Sequence, residues 1–312
     1  QLQNEKGRNP HVTCYKPLRG RQAPSGKILV GTHMDTSNII EVPCGSCIGC
    51  LVERASSWAT RAEHEAQMHD RNSFVTLTYS NDNLPDNQSL RPDHFKQFIK
   101  ALEQHNRRNG GKPFRYFGCG EYGEKLARPH YHVCLFGYAP TDQTLWRVTP
   151  AGNTLYNSET IRRIWNKGHI SIGEVTPQSA GYTARYTMKK INGEAAKTHY
   201  KGRVPEFLRV STRPGIGKDW FDQYWKDVFP LDQVVTAEGK KRKVPRYYDK
   251  LMEQKDPQLM EIIKAKRVEN AKKRNAKDIE NQERPWSRIV TREEVFKRRI
   301  QKLRRQYEAD NI

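Results

Sequence analysis

Two histidines one residue apart, His130 and His132, stand at the head of an apolar run at residues 133–136. The run predicts a buried strand, and alternate side chains of a strand lie on the same face. Two imidazoles on one face can clamp a metal ion, or they can be partly exposed histidines without a ligand. Glu121 follows another apolar run, at 114–119. If the two strands pair, the carboxylate joins the imidazoles in a ligand set that suits a hard or borderline divalent cation.

Two tyrosines and a lysine form a second candidate group, Tyr182, Tyr186 and Lys189. Their spacing places them on one face of a helix. The simpler interpretation is an amphipathic helix whose tyrosines cover a sheet. A phenol is a poor nucleophile at neutral pH because its pKa is about 10. A neighbouring ammonium group and a metal-bound phosphate would stabilise the phenolate and the charge that develops during attack on phosphorus.

Further motifs accompany these two groups. They are PCGSCIGC at 43–50, FVTLTY at 74–79, CGEYGE at 119–124, RPHYH at 128–132 and RPGIG at 213–217. With the double-tyrosine helix, they resemble the replication initiator proteins of gokushovirus-type microviruses, small phages with circular single-stranded DNA. Such initiators are HUH endonucleases, which start rolling-circle replication. The resemblance runs over nearly the whole chain.

The resemblance implies a metal-dependent nicking and joining reaction. In such enzymes a tyrosine attacks a DNA phosphate, keeps the 5′ end as a phosphotyrosine and frees a 3′ hydroxyl for the polymerase. The metal is expected to be Mg²⁺ or Mn²⁺. The matching residues are Glu121, His130 and His132 as metal ligands, Tyr182 and Tyr186 as the two nucleophiles, and Lys189, which completes a Y-x-x-K pattern with Tyr186.

The resemblance also implies the surroundings of the reaction. The substrate would be single-stranded DNA at the phage origin, the partners a host helicase and polymerase, and the place of action the cytoplasm of the bacterial host. The strand at 74–79 is expected to lie beside the metal strand. Its residues Thr76, Thr78 and Tyr79 are then candidate DNA contacts.

Four cysteines form a third candidate group. Cys44, Cys47 and Cys50 follow a C-x-x-C-x-x-C pattern, and Cys14 is the natural fourth ligand. A structural zinc site is the favoured interpretation, and an iron–sulfur cluster or free thiols are the alternatives. The remaining cysteines fall on predicted strands, where a buried small apolar side chain is the better interpretation. They are Cys119 and Cys134.

The composition favours a nucleic-acid partner. The 312 residues carry a formal net charge of +20, and only 35% of them are hydrophobic. A chain this basic is expected to bind polyanions. No apolar run is long enough to span a membrane, and the start lacks both a signal-peptide pattern and a methionine. A non-enzymatic, zinc-stabilised basic protein that packages phage DNA would fit the charge and the cysteines equally well, but not the histidine and tyrosine groups.

Periodicity predicts the elements that position these groups. Helices are expected at 51–68, from 91 to about 105, and at 158–165, and the tyrosine helix is expected to end near 192–193. Strands are expected at 74–79, 114–119, 133–136 and 168–175, whereas 138–157 reads mostly as loop with a short strand at Trp146 at most. The order of elements predicts an α+β domain, with a central antiparallel sheet of about five strands and helices packed on one face.

Composition divides the chain into three predicted segments. Residues 1–70 would form an N-terminal arm with the cysteines and a helix, and 71–232 the nicking domain. Residues 233–312 would form a basic, partly helical tail. This tail carries 23 Lys or Arg against 13 Asp or Glu, which is half of the net positive charge in about a quarter of the chain. Either a solvated tail or an arm that grips duplex DNA fits this composition.

Overall fold

The computed structural model describes residues 14–23, 28–30, 39–123, 126–150, 152–189, 194–236, 239, 241–280 and 289–298. The chain forms two compact units. One comprises Gln1–Glu53 and Lys226–Ala309, and the other comprises Arg54–Trp225. The four-cysteine group lies in the first unit, and the candidate metal ligands and tyrosines lie in the second.

The N-terminal part of the first unit contains three short strands, β1 (Leu18–Gln22), β2 (Ile28–Val30) and β3 (Ile39–Val42). β1 pairs with both neighbours in an antiparallel sheet. The helix α1 (Ile48–Gln67) begins inside the cysteine motif and confirms the predicted helix at 51–68.

Seven antiparallel strands form the central sheet of the second unit. In chain order they are β4 (Asn72–Thr78), β5 (Arg115–Tyr122), β6 (Pro129–Phe136), β7 (Gln143–Val148), β8 (Thr154–Ser158), β9 (Ile170–Gly173) and β10 (Phe207–Val210). Across the sheet the order is β10-β5-β6-β4-β9-β8-β7. The α+β class and the antiparallel sheet are therefore confirmed.

The sheet is larger than the five strands that the sequence predicts. β7 and β8 form a hairpin within 138–157, which we predict to be mostly loop. Nearly every side chain of β7 is exposed, so this strand shows none of the apolar alternation by which strands are recognised. β10 adds a further four residues beside β5.

Helices cover both faces of the sheet, and the prediction of one covered face was wrong. α2 (Pro92–Arg108) and α3 (Glu159–Trp165) pack through Phe98 and Trp165 on one face. α1 and α4 (Pro177–Lys189) pack on the opposite face. The reason lies in β5 and β6, whose continuous apolar runs are buried on both sides.

Local sequence explains where α4 begins and how closely it approaches the sheet. The Thr176 hydroxyl accepts a hydrogen bond from the Ser179 N–H, and the Ser179 hydroxyl accepts one from the Thr176 N–H, which is a reciprocal N-terminal cap. Ala180 and Ala184, one turn apart, are fully buried against the sheet. Their small side chains leave little space between helix backbone and strands, so the residues beside them are carried close to β5 and β6.

The remaining elements complete the two units. They are a 3-10 turn at Asp86–Gln88, α5 (Glu194–Tyr200), α6 (Lys218–Val228), β11 (Val234–Val235), β12 (Lys241–Arg242), α7 (Arg246–Lys255) and α8 (Pro257–Glu280). Residues 289–298 are also helical. The predicted helical C-terminal tail is confirmed, and α7 and α8 bury Tyr248, Met252 and Met260. Among the described helices, none is both long and apolar enough to cross a membrane.

Candidate active site

The β5–β6 hairpin brings the three predicted metal ligands together. Its register pairs Glu121 with His130 and Cys119 with His132. Nε2 of His130 lies 2.7 Å from Glu121 Oε1, and Nε2 of His132 lies 3.0 Å from the same oxygen. Glu121 is 1% exposed and His132 4% exposed. The three ligand atoms lie within 4.8 Å of one another, so a single cation can contact all of them.

Hydrogen bonds on the far side of each ring orient the imidazoles. Nδ1 of His130 lies 3.1 Å from the carbonyl oxygen of Arg128, which can only accept, so this nitrogen carries the proton. Nδ1 of His132 lies 3.0 Å from the Thr76 hydroxyl. A neutral His130 therefore directs the lone pair of Nε2 at a carboxylate oxygen. Two acceptors at 2.7 Å need a proton or a metal ion between them, and in this respect the residues fit a divalent cation.

The Glu121 carboxylate is held ionised despite its burial. Burial by itself raises the pKa of this group, but hydrogen bonds and charge interactions with His130 and His132 lower it further, to about 2. A buried carboxylate with such a low pKa carries a full negative charge at neutral pH. This charge favours a cation at the position that the two Nε2 atoms also face.

Tyr182 reaches the same group of residues from α4. Its hydroxyl donates a hydrogen bond of 3.4 Å to Glu121 Oε1. Its ring meets the His132 ring edge to face, with centroids 5.1 Å apart and planes at 90°. The Arg185 guanidinium lies 5.7 Å from the Tyr182 ring centroid. A phenol, a carboxylate and two imidazoles therefore share one partly exposed site.

Tyr186 and Lys189 lie on α4, one and two turns beyond Tyr182. Their side chains lie outside the described part of the chain. The structure thus brings one of the two predicted nucleophiles to the ligands, and the prediction for the other tyrosine and the lysine stays a prediction.

The three candidate DNA contacts differ in position. β4 lies beside β6, as expected, and its register pairs Thr76 with His132 and Thr78 with His130 on the face of the site. The Thr78 hydroxyl donates to the backbone carbonyl of His169. Tyr79 lies on the opposite face, 2% exposed, with its hydroxyl 2.7 Å from that of Tyr131. It is not brought to the site, because adjacent residues of a strand alternate between faces.

Two residues of the site are not recognised from the sequence. Arg128 supplies the carbonyl that holds His130, and its guanidinium donates to Asn81 Oδ1 and to the Tyr79 carbonyl. Phe74 stacks parallel to His132 at 5.6 Å. The sequence signal for Arg128 is its place in the RPHYH motif, but its role is performed by a backbone atom that any residue type provides.

The four cysteine sulfurs of the first unit also converge, because Cys14, Cys44, Cys47 and Cys50 all lie within 4.8 Å of one another. Backbone N–H groups point at three of them: Cys44 N–H at Cys14 Sγ, Cys47 N–H at Cys44 Sγ, and Tyr15 N–H at Cys47 Sγ. Burial raises the pKa of the Cys44 thiol, but hydrogen bonds from the backbone of Ser46 and Cys47 lower it further, to about 6. The group can hold a metal ion that prefers thiolate ligands.

The two remaining cysteines are buried, as predicted. Cys119 is 1% exposed and Cys134 fully buried. Burial raises the pKa of the Cys134 thiol to about 12, so this thiol is unreactive at neutral pH.

Comparison with known proteins identifies the family. The family of "Replication-associated protein ORF2" and its relatives matches residues 72–191. "Replication-associated protein ORF2" of Spiroplasma virus 4 is 35% identical over 284 residues, which are 84% of this chain and 88% of the relative. The chain belongs to the replication-associated proteins of microviruses.

Other members of this family are similar over comparable lengths. "Replication-associated protein VP4" of Bdellovibrio phage phiMH2K is 34% identical over 85% of this chain and 86% of its own, and "Replication-associated protein ORF4" of Chlamydia phage 1 is 29% identical over 72% of this chain and 56% of its own. No solved structure is a significant match. The matched region 72–191 contains every predicted metal ligand and both tyrosines of this replication-associated protein.

Proposed function

We propose that this replication-associated protein is a metal-dependent enzyme that nicks and rejoins single-stranded DNA at the phage origin and so starts rolling-circle replication. The observation that carries the proposal is the meeting of Glu121, His130, His132 and the Tyr182 hydroxyl at one site. A packaging protein needs none of these contacts. The family membership supports a role in phage DNA replication.

Mg²⁺ or Mn²⁺ is the proposed catalytic ion, held by Glu121 Oε1 and by Nε2 of His130 and His132. When bound, such an ion withdraws charge from a phosphate and leaves coordination positions for its oxygens. Three protein ligands on one side of the ion suit this use. The hydrogen bonds from Arg128 and Thr76 keep both rings in the orientation that presents Nε2.

In the proposed reaction a tyrosine oxygen forms a bond to phosphorus while the bond from phosphorus to the 3′ oxygen breaks. The 3′ oxygen leaves with a proton as a free hydroxyl, and the 5′ end stays on the enzyme as a phosphotyrosine. Tyr186, by its Y-x-x-K match with Lys189, is proposed to attack first. Tyr182 would then perform the second transfer after one round of synthesis and release a closed circle.

Tyr182 is well placed for such a transfer. Its hydroxyl is oriented by Glu121 Oε1, and its ring rests on His132. The Arg185 guanidinium beside the ring adds positive charge that favours the phenolate. A phosphodiester bond is conserved in each step, so two tyrosines one turn apart can alternate without net hydrolysis.

Other proteins would supply strand separation and synthesis. The GIGK sequence at 215–218 departs from a phosphate-binding loop, and the Gly217 N–H is engaged by Glu65 Oε2 at 2.6 Å. We therefore propose a host helicase and a host polymerase as partners, in the cytoplasm of the infected bacterium.

The four thiolates of Cys14, Cys44, Cys47 and Cys50 are proposed to hold a structural zinc ion. The N–H groups aimed at three sulfurs are the outer hydrogen bonds that metal-bound thiolates usually accept. The Cys44 pKa of about 6 supports thiolate at neutral pH.

The nicking proposal is tested with the circular single-stranded phage genome and Mn²⁺. Wild-type protein should convert circles to linear DNA, and a Tyr182→Phe, Tyr186→Phe double variant should not. Tyr156→Phe is the matched control, since Tyr156 packs against the opposite face of the sheet. Cleavage by the double variant would remove the proposed nucleophiles. Binding of circles without cleavage by any form would favour the packaging role.

A further inference from the structure

The face of the sheet that carries the site is covered on one side of the metal ligands and open on the other. α4 packs against β5, β6 and β10 on this face. β5 and β6 are accordingly buried on both sides, whereas the side chains of β4 and β9 alternate between buried and half-exposed. The half-exposed set of β4 includes Thr76 and that of β9 includes Ser171. The sheet therefore presents an accessible surface from β4 to its edge at β7.

A row of polar side chains crosses this surface. Pairing aligns His132 with Thr76 and Thr76 with Ser171. The register that pairs Tyr156 with Ile172 places Asn157 beside Ser171, and Thr144 is paired with Asn157. Five neighbouring strands thus contribute, in the order β6, β4, β9, β8 and β7, the residues His132, Thr76, Ser171, Asn157 and Thr144.

The outer residues of this row have hydrogen-bonding groups to spare. Within the described part of the chain, the side chains of Ser171, Asn157 and Thr144 make no hydrogen bond to another protein group. They are half-exposed or exposed, so water satisfies them. Hydroxyl and amide groups of this kind contact the phosphates and sugars of nucleic acids, where they take the place of water.

The row ends at an aromatic and a basic side chain. β7 has a bulge between Leu145 and Arg147, which sets Arg147 opposite Leu155 and therefore on the face of the site. The Arg147 guanidinium lies 4.6 Å from the centroid of the Trp146 ring, and Trp146 is 49% exposed. An exposed indole beside an arginine can stack on a base and pair with a phosphate.

We propose that single-stranded DNA runs from the active site along this row, which we call the polar track, to Trp146 and Arg147. This inference rests on the proposed function and extends it to the path of the substrate. Four strand spacings separate β6 from β7, about 19 Å, which is enough for several nucleotides. The track is continuous with a phosphate-directed site and belongs to a chain of net charge +20, which favours a polyanion. The other candidate occupant is a peptide strand added to the edge of β7.

Fluorescence anisotropy with a labelled oligothymidine, without added divalent cation, measures the track separately from cleavage. Trp146→Ala should raise the Kd about tenfold, the loss of one stacked base. Arg147→Ala should weaken binding and lower the slope of log Kd against log salt concentration by about one. Leu145→Ala is the control on the same strand, because Leu145 lies opposite Tyr156 on the other face. Lys100→Ala on α2 is the control for the loss of one charge.

The outcomes separate the track from the chemistry. Track variants that bind oligothymidine as tightly as the two controls do would overturn the polar track, even if wild-type protein nicks DNA. If the track variants lose binding as expected and wild-type protein forms no covalent DNA adduct with Mn²⁺, the track stands and the proposed reaction falls. Unchanged DNA binding with a loss of protein self-association in Trp146→Ala would assign the β7 edge to a peptide instead.

Discussion

One backbone carbonyl and one hydroxyl determine how the two imidazoles face the candidate cation. The Arg128 carbonyl fixes the proton of His130 on Nδ1, and the Thr76 hydroxyl contacts Nδ1 of His132. Both Nε2 atoms then face Glu121 without any need for the metal to reorganise the rings. This preorganisation is the physical reason to expect appreciable affinity from only three protein ligands.

Thr76→Val should therefore weaken metal binding. Valine has nearly the same shape as threonine but cannot hydrogen bond to Nδ1, so His132 loses its fixed orientation. We expect a Kd for Mn²⁺ about tenfold higher, measured by isothermal titration calorimetry without DNA. Thr78→Val is the matched control, since the Thr78 hydroxyl bonds only a backbone carbonyl. Equal affinities for the Thr76 variant and the wild type would show that this hydroxyl does not position the ligand.

Sequence reasoning finds the ligands but not their supports. Glu121, His130 and His132 are predictable because strand alternation and hairpin pairing are enough to bring them together. The role of Thr76 at His132 depends on which strand lies beside β6, and the sequence alone suggests only a DNA contact there. The burial of Tyr79 follows from alternation at the end of β4, where a polar hydroxyl conceals a core position.

At the scale of elements, the register of β5 against β6 and the closeness of α4 create the site. A shift of either strand by one residue would turn the histidines to the opposite face. α1 reinforces this arrangement through Glu65, which is fully buried. Its carboxylate lies 3.0 Å from Arg115 Nε at the start of β5 and accepts a hydrogen bond from the Gly217 N–H.

Glu65→Gln should destabilise the fold by about 3 kcal/mol at neutral pH, since it leaves the Arg115 charge uncompensated in the interior. Urea unfolding measures the loss. Glu159→Gln on α3, which breaks only exposed ion pairs, should cost about 0.5 kcal/mol or less. Equal stability of the Glu65 variant and the wild type would exclude the ion pair as a tie between α1 and β5.

The same pair predicts a pH dependence. Burial raises the pKa of Glu65, but hydrogen bonds to His69 and Gly217 and the charge of Arg115 lower it to a greater extent, so the folded pKa lies below the unfolded one. The carboxylate thus stabilises the fold above the ordinary glutamate pKa of about 4.3, and this contribution is lost as the pH falls through the folded value. The difference in unfolding free energy between wild type and Glu65→Gln should narrow below that pH. A difference that stays constant would contradict the assignment.

Elements with strong periodicity are predictable, and the edge hairpin is not. α1, α2 and β4 carry apolar residues at helical or alternating spacing. β7 is exposed on both faces, so no burial pattern marks it as a strand. This same exposure is what makes the hairpin available to a substrate.

At the scale of the whole molecule, the chain combines a catalytic unit with a unit built from both ends of the sequence. The composition shift after residue 232 marks the basic segment but contains no signal for what it packs against. In the structure, Tyr15 beside the cysteine group contacts Phe296 of the C-terminal helical segment, with ring centroids 6.0 Å apart. Both belong to the first unit, so the cysteine group is a candidate anchor for that unit.

Metal analysis tests this anchor. Protein purified without chelator should contain about one zinc per chain, and Cys44→Ser should lose it and unfold its terminal unit at lower temperature. Cys134→Ala, which removes a buried thiol of the sheet, should keep the zinc. Visible absorption from iron and sulfide would indicate a cluster instead. Four readily titrated thiols in metal-free, equally stable protein would contradict any metal at this position.

The central claim is that a tyrosine of α4 becomes covalently joined to DNA at the Glu121, His130 and His132 site. Intact-mass spectrometry tests it most directly, after incubation with overlapping oligonucleotides that tile the phage genome. With Mn²⁺, wild-type protein should gain the mass of one DNA fragment attached through its 5′ phosphate. The adduct should be absent without divalent cation and in the Tyr182→Phe, Tyr186→Phe variant. A wild-type mass that never changes, or an adduct that persists in the double variant, would contradict the account.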